Sequence, residues 1–478
     1  MELTEEIVAW VERVSGGKIV SSVHQGRWRH HFFVDVLQPD GKRLKLLARF
    51  ARKLDLVASS KFLSNYDIAH EAAVLKELQG QGLCIPKFYG FNADPAVILM
   101  ERVDGSADLS HVSDNDRRTI MRDYIENLAK LHTLEFDVSR FPASAIPDTP
   151  QKKSIGSLLT FMEADYYCVR DKIRPEPLLD FAIWWLNENV PHTGEARLIQ
   201  GDTGPGQFMA DNGRITALID WELCHFGDPM VDLGVMRMRN MLYPVGELRP
   251  HLEYYAELTG KPLDRHAICF QTVSATLQSP LGIAASIQTP TAGIESMVPR
   301  LGWDVTLRRG LCDALCEAFE IEVEPPRFPQ DTWDERSDIS RFLAEYLETV
   351  CFPLVQGDYD RFLMRGAVGL ARTLELGQRH GRQIERDDLD DMGVVLGVRP
   401  SGREVGLTEL GKLVAHSPET CAKDLLWLFS RMEQRREYLW KPIMIAQQSR
   451  PLERLYPAIE VYSPTAAVKA EMVGTLPC

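Results

Sequence analysis

The sequence predicts an α+β protein. A small strand-rich N-terminal part should be followed by a mainly helical middle and a further helical C-terminal module. Three observations carry this. Short apolar runs such as Leu44 to Arg49 and Val97 to Met100 fall within the first 103 residues. Beyond them apolar residues recur mostly at helical spacing. A proline-rich break, Glu322 to Trp333, then separates two helical regions.

At the N-terminus, Thr4 with Glu5 and Glu6 caps a helix bearing Ile7, Val8, Val11 and Val14. His24 to His31 is a turn with one glycine and two arginines, Arg27 and Arg29. Leu44 to Arg49 reads as a strand. Asp67 to Leu78 reads as a helix, because Ile68, Ala72, Leu75 and Leu78 repeat at its period. Glu71 shares that apolar stripe, and a carboxylate turned toward an apolar interface needs a cation; Arg49 is the natural one. Val97 to Met100 is an apolar strand running into Glu101-Arg102-Val103-Asp104-Gly105. The segments that follow are helical. Trp184 and Trp185 belong to packing, and Tyr166 and Tyr167 either pack or line a pocket.

The densest chemistry lies between Leu198 and Arg239, where Asp202, Gln207, Asp220, Glu222, Asp228 and Asp232 punctuate apolar runs. Gln207 to Ala210 is a short strand. Asp211-Asn212-Gly213 is a turn, since Asn-Gly tolerates positive φ at both central positions. Arg214 to Ile219 returns. If Asn212 and Gly213 form the loop, Asp211 faces Arg214 and Gln207 faces Leu218. Asp220, two residues further, then shares the face of Gln207, and the loop carrying Asp202 enters at the same open end. Oxygen-bearing side chains converging this way suit a hard divalent cation such as magnesium. Asp228-Pro229 reads as an N-cap followed by proline at the first helical position.

These residues resemble the catalytic core of the aminoglycoside phosphotransferase-like (choline kinase-type) small-molecule kinases. Gln200-Gly201-Asp202 stands where that family has His-Gly-Asp, and Gln207 where it has Asn. Ile219-Asp220-Trp221-Glu222 and Gly227-Asp228-Pro229-Met230-Val231-Asp232-Leu233 match its later motifs in order. The resemblance implies a bilobal protein-kinase-like fold with a nucleotide-binding lobe at 1–103, a catalytic lobe at 104–325 and an additional helical domain at 326–478. It implies ATP and Mg2+ as cofactors, with Asp202 as catalytic base, Gln207 and Asp220 on the metal, and Asp232 bracing the catalytic loop. It also implies that Arg49 meets the nucleotide phosphates (Lys45 and Arg52 are substitutes), that Glu71 orders it, and that backbone groups of Glu101 and Val103 meet the adenine edge. Phosphoryl transfer needs positioning and charge neutralisation more than covalent help, which this residue set supplies.

Composition narrows the partners. A net charge of -14 over 478 residues argues against nucleic acid. No apolar run approaches a membrane span and the N-terminus is acidic, so a cytoplasmic location is expected. Nine scattered cysteines show no zinc pattern; Cys312 and Cys316, one turn apart, read as buried thiols. The acceptor is then a small-molecule hydroxyl: an antibiotic, a choline-like alcohol, or a catabolite such as a hydroxyacyl-CoA. A nucleotide-binding pseudokinase acting as a scaffold is the alternative, and a protein kinase is disfavoured for want of activation-segment patterns. Ile339, Phe342, Leu343, Tyr346, Leu347 and Val350 form an amphipathic helix in the C-terminal module. That module could serve a homodimer or a protein partner.

Overall fold

The computed structural model describes residues 3–26, 30–51, 67–146, 157–192, 196–286, 294–330, 334–444 and 450–464. Arg27, Arg29 and Arg52 lie outside this set. The chain forms two compact units. Unit 1 comprises Met1–Phe161, His192–Asn240 and Val245–Asp264; unit 2 comprises Met162–Pro191, Met241–Pro244 and Arg265–Cys478.

Unit 1 opens with helix α1 (Glu5–Ser15), whose N-cap Thr4 accepts from the Ile7 amide. Five strands follow: β1 (Lys18–Gly26), β2 (His30–Leu37), β3 (Arg43–Phe50), β4 (Phe88–Ala93) and β5 (Ala96–Glu101). They form one antiparallel sheet in the order β1-β2-β3-β5-β4. Alternation decides what each face carries. Phe32, Val34, Val36, Leu46, Ala48, Val97 and Leu99 share a buried core with Ile7, Trp10 and Val11 of α1. Arg49, one residue past Ala48, therefore points to the opposite face. Helix α2 (Ile68–Leu78) supplies the partner there. Its N-cap Asp67 accepts from the His70 amide at 2.9 Å, and Glu71 is buried with Leu75 and Leu78.

Helix α3 (Asp114–Thr133) precedes a stretch that leads through α4 (Ser157–Val169) and α5 (Pro177–Glu188) to the short strands β6 (Arg197–Ile199), β7 (Phe208–Asp211), β8 (Arg214–Leu218) and β9 (His225–Gly227). Helices α6 (Met230–Leu242) and α7 (Arg249–Thr259) complete unit 1. Asp228 caps α6 as expected, its Oδ1 accepting from the Met230 amide at 2.9 Å.

The β7–β8 turn forms at Asn212 and Gly213, both with positive φ, and Asp211 pairs with Arg214. The remaining register differs from simple alternation. Ala210 pairs with Ile215 but Met209 with Ala217, so Thr216 is a bulge. Phe208 thus faces Leu218, and the Gln207 carbonyl accepts from Ile219 rather than lying opposite Leu218. The cause is tertiary. Thr216 Oγ1 donates to the Asp104 carbonyl at 2.7 Å, and Ser106 bridges Ala210 through both backbone bonds. The hairpin is shaped by the segment after β5.

Unit 2 is mainly helical: α5, α8 (Arg265–Ser286), α9 (Ile294–Ala318), α10 (Asp338–Tyr346), α11 (Asp358–Leu396), α12 (Arg403–His416) and α13 (Ala422–Trp440), with a two-stranded parallel pair of β10 (Ile321–Val323) and β11 (Glu460–Tyr462). Tyr166 belongs to its core, fully buried and hydrogen-bonded to Asp180 at 3.1 Å, whereas Tyr167 is exposed. Cys312 and Cys316 are buried, and burial raises both thiol pKa values. The amphipathic segment from Ile339 is helical, but its apolar stripe faces solvent: Ile339 is 79% exposed, and Phe342, Leu343 and Tyr346 are exposed beside it. No described helix is long and apolar enough to cross a membrane.

Candidate active site

The site grows from the loop between β6 and β7. Gly201 has φ +85°, and a Cβ there would stand 2.2 Å from the Leu223 carbonyl oxygen, so only glycine lets the two loops meet. Asp232, on the first turn of α6, is completely buried and collects this loop. It accepts from the Gln200 amide at 2.8 Å, the Gly201 amide at 2.8 Å and His132 Nε2 at 3.0 Å. Burial alone would raise its pKa. The bonds from His132 and Gly201 outweigh burial and hold it below the usual carboxylate range.

Gln200 is buried and multiply bonded. Its Oε1 accepts from Tyr124 at 3.2 Å, and its Nε2 donates to the Ile219 carbonyl at 2.9 Å. Tyr124 in turn accepts from the Gly204 amide at 2.9 Å. The side chain that departs from the family's histidine thus ties the Asp202 loop to the end of β8.

Asp202 Oδ1 accepts from Arg239 Nη1 at 2.8 Å, and its Oδ2 accepts from Gln207 Nε2. Arg239 also donates through Nε to the Pro205 carbonyl at 2.9 Å. Sequence reasoning missed this arginine. Asp232 and Arg239 stand seven residues apart on α6, hence on one helical stripe, and that spacing was the available signal. Gly204 lets the loop approach, with an ideal Cβ only 3.1 Å from Met236 Cα.

A second cluster surrounds Arg49. Its Nε lies 3.2 Å from Glu71, and its Nη2 lies 2.6 Å from Asp220 and 3.4 Å from Glu222. Burial works against the charged guanidinium, but the three carboxylates override it and raise its pKa above the ordinary value. Asp220, two residues past β8, stands in the left-handed region at φ +63°, a conformation that costs a non-glycine residue about 1–3 kcal/mol and collects at functional sites. This turn, rather than strand alternation, directs its carboxylate to Arg49. Ligand oxygens of Glu71, Asp220 and Glu222 lie within 4.8 Å of one another. Three carboxylates with oxygens this close fit a hard divalent ion such as magnesium. His70 holds the cluster's two walls together. Its Nε2 donates to the Cys224 carbonyl at 2.9 Å, and its Nδ1 accepts from Ser144 at 2.6 Å. Burial lowers its pKa to about 4.

The remaining candidates sit at the end of β5. The Glu101 amide donates to the Lys87 carbonyl at 2.8 Å. Val103 follows, one residue before Asp104, whose carboxylate pairs with Lys45 at 3.0 Å. Lys45 is therefore engaged away from the Arg49 cluster.

An antiparallel sheet with one ordering helix, a looped aspartate braced from a buried helix, and acidic residues ending a short hairpin define a protein-kinase-like phosphotransferase domain of the α+β class. Residues 41–266 match the model of the phosphotransferase enzyme family (APH). This is a family of small-molecule kinases. Among curated relatives, the chain is 27% identical over 186 residues to acyl-CoA dehydrogenase family member 11 of Homo sapiens, covering 35% of this chain and 22% of that protein. It is 26% identical over 218 residues to the probable acyl-CoA dehydrogenase IBR3 of Arabidopsis thaliana, covering 42% and 26%. The chain thus spans about a quarter of the length of these relatives. Similar solved structures include macrolide 2'-phosphotransferase MphH from Brachybacterium faecium, at 20% identity and TM-score 0.43 over 62% of this chain and 98% of that one. Another is aminoglycoside phosphotransferase APH(4)-Ia with ADP and hygromycin B, at 15% identity and TM-score 0.44 over 63% and 97%.

Proposed function

We propose that the chain transfers the γ-phosphoryl group of ATP, with Mg2+, to a hydroxyl of a small molecule. The observation that carries this is the pairing of two differently built acidic positions. Asp202 is held by a cation and an amide at the mouth of a braced loop, while Asp220 stands in a cluster of three carboxylates.

Asp202 orients the acceptor hydroxyl and takes its proton. Arg239 and Gln207 keep its carboxylate aimed, and Asp232 holds the loop beneath it. Glu71, Asp220 and Glu222 would hold the metal, joined by Gln207, whose amide nitrogen is committed to Asp202 and whose oxygen is the ligand atom. Arg49 carries positive charge to the nucleotide phosphates. Glu101 and Val103 offer backbone groups to the adenine. When bound, the metal neutralises charge on the phosphates.

A hydroxyacyl-CoA is the acceptor class we favour, because the curated relatives are named as acyl-CoA dehydrogenases. Aminoglycoside-like and choline-like alcohols are the competitors. The exposed apolar stripe on α10 supports a second reading, a nucleotide-binding scaffold.

The test is Mg–ATP turnover with a panel of hydroxylated acyl thioesters, antibiotics and alcohols. Asp202→Ala should lower the rate about 10²- to 10⁴-fold. Full activity in that variant removes Asp202 from the mechanism. No turnover with any hydroxyl, despite nucleotide binding, favours the scaffold.

A further inference from the structure

Two helices open the C-terminal module of unit 2, and the first is oriented against its own pattern. Helix α10 lies against α11. It turns its small residues inward: Ser340 and Ala344 are buried, and Ser340 Oγ donates to Gln378 Oε1 on α11 at 2.6 Å. Its large apolar residues Ile339, Phe342, Leu343 and Tyr346 meet solvent, each between 46% and 79% exposed. An ordinary surface helix does the reverse and lays its apolar stripe on the core.

The stripe does not stop at one helix. The turns after Tyr346 carry it through Val350 to Leu354, which is 76% exposed. On α11, Leu370 and Leu374 are exposed too. One ion pair shows that the two helices share this face. Glu348 Oε2 accepts from Arg372 Nη2 at 2.9 Å along one edge of the pair. Tyr346 and Val350 stand two residues either side of Glu348, and Leu370 and Leu374 two residues either side of Arg372. Two residues turn a helix by about 200°, so all four lie on the edge away from the ion pair. With ~150–250 Å² for an aromatic side chain and somewhat less for an aliphatic one, these exposures come to roughly 800 Å² of apolar face. The largest patch on an ordinary monomer covers about 300–600 Å², whereas a standard interface buries about 800 Å² on each partner.

We propose that this face joins two copies of the chain into a dimer, with α10 and α11 of one copy closing a four-helix bundle against α10 and α11 of the other. A helical hairpin that exposes one apolar side is half of such a bundle, and an identical hairpin supplies the missing half. Two-fold symmetry closes the contact, since the same patch serves on both copies and none is left over. The exposed area suffices for a stable dimer. A self-contact accounts for the stripe without a foreign scaffold partner. The dimer stands or falls apart from the phosphoryl-transfer reading, because no residue of this face belongs to unit 1.

The experiment is sedimentation equilibrium on the full chain, from nanomolar to tens of micromolar concentration. A particle of twice the 54.1 kDa chain mass is expected, dissociating only toward the lower end. Phe342→Glu combined with Leu374→Glu should weaken the dimer at least about tenfold, because it sets carboxylates into an apolar contact. Both side chains are exposed, so the double variant should keep the parent's circular dichroism. Val398→Glu, 70% exposed but past the end of α11, should dimerise as the parent does. A monomer throughout the range overturns the proposal and gives the face to another molecule. A double variant as dimeric as the parent, or an equal loss in Val398→Glu, overturns it as well.

Discussion

Two clusters of charge, one in each unit, use the same residue types to opposite ends. In unit 1, one guanidinium, Arg49, meets three carboxylates: Glu71, Asp220 and Glu222. In unit 2, three arginines meet three carboxylates. Arg308 contacts Asp304 at 2.9 Å and Glu176 at 2.8 Å, Arg174 contacts Glu176 at 3.0 Å, and Arg436 contacts Asp304 and also Glu433 at 3.5 Å. Asp304 is completely surrounded, whereas Asp220 keeps a quarter of its side chain exposed. A buried balanced network serves the scaffold, since every charge has a partner and losing one strands another. The unit 1 cluster is instead open to solvent at Asp220, so its carboxylate oxygens stay within reach of a ligand. Solvent access therefore separates a binding site from a structural network where composition cannot.

The largest effect expected from this contrast is on stability. Asp304→Asn should cost about 3 kcal/mol or more, because it leaves Arg308 and Arg436 under-compensated in a buried setting. Denaturant unfolding checks it, and a loss under about 1 kcal/mol would break the comparison from the unit 2 side. The same chemical change in the other cluster should behave differently. Asp220→Asn retains the left-handed conformation that asparagine tolerates, and Arg49 keeps Glu71 and Glu222. Stability without metal should stay within about 1 kcal/mol of the parent. The gain in thermal stability that Mg–ATP confers on the parent, worth about 2.7 kcal/mol at a hundred times its Kd, should disappear. Retention of that gain would show that Asp220 holds no metal.

A pH effect of comparable size follows from His70. Its pKa falls from the ordinary 6.5 to about 4, because burial disfavours the imidazolium. Between those values the unfolded chain binds the extra proton and the folded chain does not. Stability from this group is therefore complete above about pH 6.5 and is lost as pH falls toward 4, by on the order of 3 kcal/mol. His70→Gln removes the titration. The stability difference between parent and variant should slope across that window and flatten above it. A difference independent of pH would show that the imidazole is not held neutral between Ser144 and Cys224.

What could be read in the sequence was local. Thr4 and Asp67 cap their helices because a side chain reaches an amide three residues away. Asn212-Gly213 turns because both residues accept positive φ. Arg49 meets Glu71 because one strand period and one helix period bring them to facing surfaces. The misses were non-local. The bulge at Thr216 depends on the Asp104 carbonyl, far upstream. Arg239 takes its meaning from Asp202, 37 residues away in sequence. Amphipathicity located the helix at Ile339 but could not say that its apolar face meets solvent.

The smallest expected effect asks whether the unit 1 site depends on precision more than on energy. Thr216→Val keeps a β-branched residue in the strand and removes only the 2.7 Å bond to the Asp104 carbonyl. The cost in stability should be about 0.5–1.5 kcal/mol, the value of one ordinary hydrogen bond. Kinetically the change should be lopsided. Asp104 follows the backbone proposed to meet adenine, so loosening it should raise the KM for nucleotide a few-fold. Asp202, Gln207 and Arg239 keep their mutual bonds, so kcat should hold. If kcat falls instead, the bulge is aligning the acidic end of the hairpin, and Gln207 owes its position to Thr216. Equal changes in both constants would mean that the hairpin and the segment after β5 act as one body, with binding and catalysis inseparable within unit 1.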